Sequence, residues 1–289
     1  MFDPREFAGT LSRGCHDAAV RTPPEPVSDP ADPRLRGYVG LTDAALRAGM
    51  ERDDPVFVVE GHTALARAAR STYRVRSVLC LPGRVERVTE ALRGTAADAV
   101  PVYVGTRELL AATAGFDVHR GVLALAERGS PSPMSALDAA RTLVVLEGVN
   151  DQENLGVIAR TAAGLGADGL LLDPTTADPL GRRAVRVSMG EMLHLPLVRA
   201  RSWPDALDDL STAGWRIVAL TPAADAAPLR DSHRLDGERV ALLLGAEGAG
   251  LSDAAMARAD RVRIPLRGDV DSLNVGHAAA IALWHLLGA

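Results

Sequence analysis

The run Ile264-Pro265-Leu266-Arg267-Gly268-Asp269-Val270-Asp271-Ser272-Leu273-Asn274-Val275 governs how this chain is read. An apolar strand end meets a proline, then a glycine-bearing turn, then Ser-Leu-Asn, which opens an Ala-rich helix running to the last residues. A strand feeding a helix in this way belongs to an α/β layer. It places backbone N–H groups, a hydroxyl and a carboxamide at a helix N-terminus, where the dipole favours an electron-rich ligand. Alone, the run is equally a well-capped terminal helix. Two earlier segments bear on the choice.

One is Leu242-Leu243-Leu244-Gly245-Ala246-Glu247-Gly248-Ala249-Gly250-Leu251, a buried strand entering three glycines around one carboxylate. Glycines permit unusual dihedrals and close approach of a ligand to the backbone. Glu247 can fix an arginine by a bidentate contact. Without that carboxylate, a tight strand-to-helix turn explains the loop. The other is Asp151-Gln152-Glu153-Asn154-Leu155-Gly156-Val157-Ile158-Ala159-Arg160-Thr161-Ala162, with Asn154 expected as an N-cap. Ile158, Thr161, Ala162 and Leu165 share one helical stripe and Arg160 falls roughly opposite, as a solvent-facing arginine would.

The 289 residues suit two ordinary domains, and a 47% hydrophobic content is ample for their cores. No apolar run approaches the roughly 18 residues needed to span a bilayer. The start, Met1-Phe2-Asp3-Pro4, lacks the apolar stretch of a secretory signal, so a cytoplasmic protein without membrane partners is expected. Two cysteines, Cys15 and Cys80, give neither a disulfide framework nor metal-ligand spacing. The net charge of −5 argues against a blanket polyanion-binding surface and leaves room for a local one. All 32 basic residues are arginine, a side chain suited to bidentate phosphate contacts.

Residues 1–29 read as an N-terminal extension, with a short helix near Phe7–Val20 and an extended connector. Residues 30–127 alternate strands and helices: a helix over Arg34–Arg47, strands at Pro55–Gly61, Val75–Cys80, Pro101–Val104 and Gly121–Ala126, helices between them. That alternation predicts an α/β layer with a mostly parallel sheet. Seven arginines stand between Arg67 and Arg93 against two glutamates. They are either a solvated face or an RNA-backbone footprint centred on Arg70, Arg74 and Arg76. Arg128-Gly129-Ser130-Pro131-Ser132-Pro133 opens a linker over 128–140, and a second α/β domain fills 141–289.

Together the three segments resemble motifs 1, 2 and 3 of the SpoU (TrmH-like) class of SPOUT RNA 2′-O-ribose methyltransferases. Asp151–Ala162 is similar to motif 1, with Gln152 where the family usually has proline. Gly245, Glu247, Gly248 and Gly250 match motif 2. Ile264, Pro265 and Ser272–Val275 match motif 3, with Gly276-His277-Ala278 in place of the usual Ser-x-Ala. The resemblance covers about residues 141–289 and implies a parallel sheet with a deep trefoil knot, active as a homodimer. The front residues resemble an L30e/L7Ae-like substrate-binding domain at Phe57–Gly61 and Phe116–Ala124.

The resemblance also implies S-adenosylmethionine as the methyl donor, contacted by Gly245, Ile264 and Leu273 mostly through main-chain atoms, with no metal required. The acceptor it implies is a ribose 2′-hydroxyl of RNA, not DNA, with 23S rRNA ahead of tRNA because minimal tRNA-modifying members tend to lack a front domain. Arg160 stands at the family's catalytic arginine. A guanidinium is a donor of hydrogen bonds and a poor base, so its expected work is to bind a phosphate and orient the hydroxyl. Asn154, Glu247, Ser272 and Asn274 would hold Arg160 and the target nucleotide, and Arg182, Arg183 and Arg186 are further candidates for RNA contact. Two rivals stay open. A non-catalytic RNA-binding or ribosome-assembly protein leaves the three motifs unexplained. A nucleotide-dependent oxidoreductase would need GxGxxG where Glu147-Gly148-Val149-Asn150 stands.

Overall fold

The structure is a computed structural model that describes residues 23–43, 54–231, 238–268 and 270–287. The helix expected near Phe7–Val20, and Cys15, lie outside the described residues. The chain divides into two compact units, Met1–Arg128 and Gly129–Ala289.

The first unit is built on strands β1 (Glu25–Pro26), β2 (Val56–Glu60), β3 (Val75–Cys80), β4 (Val102–Val104) and β5 (Val122–Glu127). Its helices are α1 (His62–Ala68), α2 (Val85–Leu92) and α3 (Arg107–Ala114). The sheet order is β1-β4-β3-β5-β2. It is mixed rather than mostly parallel: β5 runs antiparallel to both β3 and β2. The cause lies after α3. Gly115 (φ 81) and Gly121 (φ 65) turn the chain in the left-handed region. The chain therefore re-enters beside the ends of β2 and β3, where Gly61 N donates to Val122 O and Leu81 N to Gly121 O.

Two further readings change in this unit. Residues 23–27, read as connector, supply edge strand β1, with Val27 buried and its N–H on Val104 O at 2.9 Å. A two-residue strand that follows one proline and ends in another carries no alternation to read, and proline is tolerated at an edge. The described part of the expected Arg34–Arg47 helix is a 3-10 helix, Pro33–Tyr38, because Gly40 (φ 59) breaks it. It still buries Leu35 and Tyr38, and the Tyr38 hydroxyl shares a 2.7 Å hydrogen bond with Ser77 Oγ.

The second unit carries β6 (Thr142–Glu147), β7 (Gly169–Leu172), β8 (Leu197–Arg199), β9 (Trp215–Leu220), β10 (Ala227–Pro228), β11 (Arg239–Gly245) and β12 (Asp260–Arg263). Its sheet runs β10-β12-β9-β11-β6-β7-β8 with every pairing parallel. The centre of β6, all of β7 and the centre of β11 are continuous buried Val/Leu/Ala/Gly runs, the pattern that a sheet covered on both faces requires. Helices α4 (Gln152–Gly164), α5 (Arg182–Val187), α6 (Asp205–Thr212), α7 (Asp253–Met256) and α8 (Val275–Leu287) complete the unit. No described helix is long and apolar enough to cross a membrane.

Most of the expected 128–140 linker belongs to this unit. Ser132 bridges Val198, and Leu137 and Ala140 are buried in the sheet's core. Apolar side chains interspersed among Pro and Ser give no periodic signal, so only packing reveals them. Motif 1's glycine also finds its reason in packing. A Cβ on Gly156 would stand 2.7 Å from Ala184 O and 2.8 Å from Val187 Cβ, so α4 and α5 touch because that side chain is missing.

Candidate active site

Strands β12, β9 and β11 are neighbours, all run the same way, and so end at the same sheet edge. The carboxyl edge of a parallel sheet is where loops diverge and leave a crevice for a ligand. A cavity of about 600 Å³ opens there, within the range of small-molecule and cofactor sites. Thr221 beyond β9, Gly245 at the end of β11 and Glu247 beyond it, Ile264 beyond β12, and Ser272, Leu273 and Asn274 before α8 line it.

Asn274 joins the three sequence segments. Its Nδ2 donates to Asn154 Oδ1 and to Glu247 Oε1, both at 2.8 Å. Its Oδ1 accepts from the backbone N–H of Gly276 at 2.9 Å and of His277 at 3.4 Å, capping α8. Asn154 is not the N-cap of its helix. Asp151 is, accepting from Glu153 N at 2.6 Å, which leaves Asn154 buried inside the first turn with its carbonyl turned to Asn274. Either residue type caps a helix well, so sequence alone could not choose between positions three apart.

The glycines of motif 2 divide their work. A Cβ on Gly245 would lie 2.4 Å from the carbonyl carbon of Gly250, so the loop closes on itself only over a bare Cα. Gly248 (φ 87) and Gly250 (φ 70) supply left-handed turns, with nothing close to where a Cβ would sit. Close approach of a ligand is therefore not the only demand for glycine here; the loop's own closure is the first at Gly245.

Arg160 is not brought into this cavity. It is exposed on α4, its side chain makes no hydrogen bond or ion pair among the described residues, and it lines a separate groove with Val157, Thr161 and Trp284. Six residues beyond Asn154, it lies about 240° further round the helix. Asn154 and Glu247 accordingly hold Asn274 instead of Arg160. Ser272 is exposed at the cavity wall. Arg186 reaches Glu153 at 3.4 Å, Arg182 is half-buried and Arg183 is exposed.

In the first unit, Arg70 Nη1 donates to the carbonyls of Ala66 and Ala91, at 2.9 and 3.1 Å. Arg74 pairs with Glu127 at 3.0 Å and Arg76 with Asp54 at 2.5 Å. Sequence reasoning missed Thr221, Pro222, Leu266 and Asp271 in the cavity wall. Position at a strand's carboxyl end is a usable signal, but only once the strand order is known.

Residues 141–284 match the SpoU rRNA methylase family. Over 261 residues the chain is 42% identical to an uncharacterized tRNA/rRNA methyltransferase of Mycobacterium bovis, covering 89% of this chain and 90% of that one. The chain belongs to the SpoU family. The 23S rRNA (guanosine(2553)-2′-O)-methyltransferase RlmP of Bacillus subtilis is 36% identical over 157 residues, 54% of this chain and 62% of that one. Among solved structures, an AdoMet-bound rRNA methyltransferase from Sinorhizobium meliloti matches with a TM-score of 0.74 and 28% identity, over 91% of this chain and 97% of that one.

This SpoU-family protein is thus a methyltransferase with S-adenosylmethionine as cofactor. The cavity fits such a group: its size is that of a nucleoside-bearing ligand, and its walls at Gly245, Ile264 and Leu273 are loop backbone at strand and helix ends.

The Asn274 bridge sets a test. Asn274→Asp removes both donors and points a carboxylate at Glu247. We expect methyl-transfer kcat/KM to fall by about 100-fold or more, a loss of about 2.7 kcal/mol, with the protein still folded by circular dichroism. Activity within tenfold of wild type would show that the bridge is not needed.

Proposed function

We propose that this SpoU-family methyltransferase modifies the ribose 2′-hydroxyl of structured RNA, with 23S rRNA as its substrate ahead of tRNA. The observation carrying this reading is the Asn274 carboxamide, which ties Asn154 and Glu247 together at the rim of the cavity. Similarity to RlmP, named for a 23S rRNA 2′-O-methylation, supports the ribose and the rRNA. The sequence resemblance carries a knotted chain path with it, and that path is part of the proposal.

S-adenosylmethionine, when bound, supplies a methyl group activated on a sulfonium. Gly245, Ile264 and Leu273 would hold it through main-chain atoms. Ser272 and Asn274 face the RNA side of the cavity, and Asn274 keeps Glu247 in place by its 2.8 Å bond. Arg160, through its guanidinium donors, binds the phosphate flanking the target and so orients the hydroxyl. Positioning of the two reactants supplies much of the rate. Arg160→Ala should abolish transfer while calorimetry shows S-adenosylmethionine binding nearly intact; full residual activity would remove Arg160 from the site. Mapping ribose methylations in a deletion strain against its parent names the substrate. A missing mark in tRNA instead of rRNA would favour the tRNA reading, and unchanged marks in both a non-catalytic role.

The protein works as a homodimer in this reading. Val157 on α4, and Ile281 and Trp284 on α8, are 37%, 43% and 59% exposed, an apolar group of the kind that marks an interaction surface. Arg160 lies in the groove with Val157 and Trp284, so a second copy seated there would enclose it. Trp284→Glu is expected to give a monomer by analytical ultracentrifugation and to lose activity; a dimer with wild-type activity would refute this contact.

The first unit is proposed as an L30e-like RNA-binding domain, in the cytoplasm with its substrate. Its footprint shifts from the expected residues, since Arg74 and Arg76 are engaged by carboxylates. Arg84, Arg87 and Arg93 make no side-chain hydrogen bond or ion pair among the described residues, and Arg70 remains a secondary candidate. Arg182, Arg183 and Arg186 are candidates of the second unit by itself. Reversing Arg84 and Arg87 to Glu should weaken RNA binding and flatten its dependence on salt more than reversing Arg74 and Arg76 does. RNA affinity and salt slope unchanged from wild type in both variants would mean that these arginines are only a solvated face.

A further inference from the structure

Glu147 closes β6 and stands opposite Gly245 in the paired strand β11. Its carboxylate accepts three hydrogen bonds. Ser252 N donates to Oε2 at 2.9 Å, while Ser252 Oγ at 2.7 Å and the Trp203 indole Nε1 at 2.6 Å donate to Oε1. Ser252 lies just past the glycine loop and caps α7, its Oγ also accepting from Ala255 N at 3.2 Å. Trp203, half-buried between β8 and α6, packs against the sheet's core. Glu147 itself does not line the cavity.

Gly245 begins the loop and Ser252 ends it, and Glu147 meets both. Between them Gly250 N bonds back to Ala246 O at 3.0 Å, and a Cβ on Gly245 would collide with the Gly250 carbonyl carbon at 2.4 Å. The loop is therefore a narrow-necked ring whose neck is fixed to β6 by one side chain. Three donors converge on that side chain and no acceptor does. An ionised carboxylate takes all three, whereas a carboxamide would turn an N–H toward a donor.

We propose that Glu147 is a positioning residue for the cofactor: by holding Ser252 and Trp203 it preforms the Gly245–Gly250 loop before S-adenosylmethionine arrives. This rests on the reading that this loop is the cofactor wall. Preforming a loop removes an ordering cost from binding, so its loss is felt in affinity rather than in the transfer step.

The test uses the full chain, with S-adenosylmethionine binding by calorimetry and steady-state transfer to RNA. Glu147→Gln is expected to raise both Kd and KM for S-adenosylmethionine about tenfold, with kcat at saturating cofactor within about twofold of wild type. Amide exchange over residues 245–252 should quicken. Adding Ser252→Ala to Glu147→Gln should cost little further, because the two share one interaction. Should Glu147→Gln fold poorly, Ser252→Ala and Trp203→Phe each remove one donor and should raise Kd about threefold. A lowered Tm with unchanged Kd, KM and loop exchange would make Glu147 merely structural and overturn the proposal. Gly245→Val separates the two failures. If it abolishes cofactor binding while Glu147→Gln does not change it, only the positioning role falls. If Gly245→Val binds S-adenosylmethionine as well as wild type does, the loop is not the cofactor wall and both fall.

Discussion

One carboxamide holds the second unit's working parts in register. Asn274 uses two donors and one acceptor on four partners: Asn154 in α4, Glu247 in the glycine loop, and the two N–H groups that open α8. The outermost of these segments, at Asn154 and Asn274, are 120 positions apart in the chain. The chemistry permits few substitutes. Asp offers no donors, Ser offers one short hydroxyl, and Gln would cap a helix poorly at this reach. Because each partner is itself the end of a regular element, fixing Asn274 fixes where α4, β11 and α8 meet.

Those elements can meet only because side chains are missing at the right places. Gly156 lets α5 lie against α4, and Gly276 lets α8 lie against Val157, where a Cβ would come within 2.6 Å. Gly245 lets the loop after β11 fold over its own neck. Each position gives up conformational entropy for close approach. The parallel sheet supplies the rest: β12, β9 and β11 end together, and their diverging loops leave the cavity without any side chain having to retreat.

Charge serves the fold in a similar way. In a chain whose basic residues are all arginine, many guanidinium groups act as struts. Arg199 holds the loop after β7 through the carbonyls of Asp173, Thr176 and Ala177, and Arg239 binds the carbonyls of Leu137 and Asp138. Asp173, in the same loop, is nearly buried, which would raise its pKa. Bonds from Thr175 and Thr176 side chains and from the Gly148 and Thr176 N–H groups outweigh burial and hold it below the usual value. An arginine's presence in a run therefore says little about its partners, and a count between Arg67 and Arg93 could not show that Arg74 and Arg76 pair with carboxylates.

Residue order alone was enough for the α/β class, the bounds of most strands, and the three segments that Asn274 ties together. Buried parallel strands are continuous apolar runs, and loops that must bend are marked by glycine, so both are written locally. Strand Val75–Cys80 and helix Val85–Leu92 were legible to the residue. Packing was needed to show that β5 turns antiparallel, that Glu25–Pro26 is an edge strand, and that Leu137 belongs to a core. Packing likewise made Asp151 the cap of α4, freed Asn154 for Asn274, and turned Arg160 away from the cavity. Each of these depends on a partner distant in the chain. A hydrogen bond such as Asn274 to Asn154, across 120 positions, leaves no local pattern at either end; it exists only once packing has brought the two side chains within 2.8 Å.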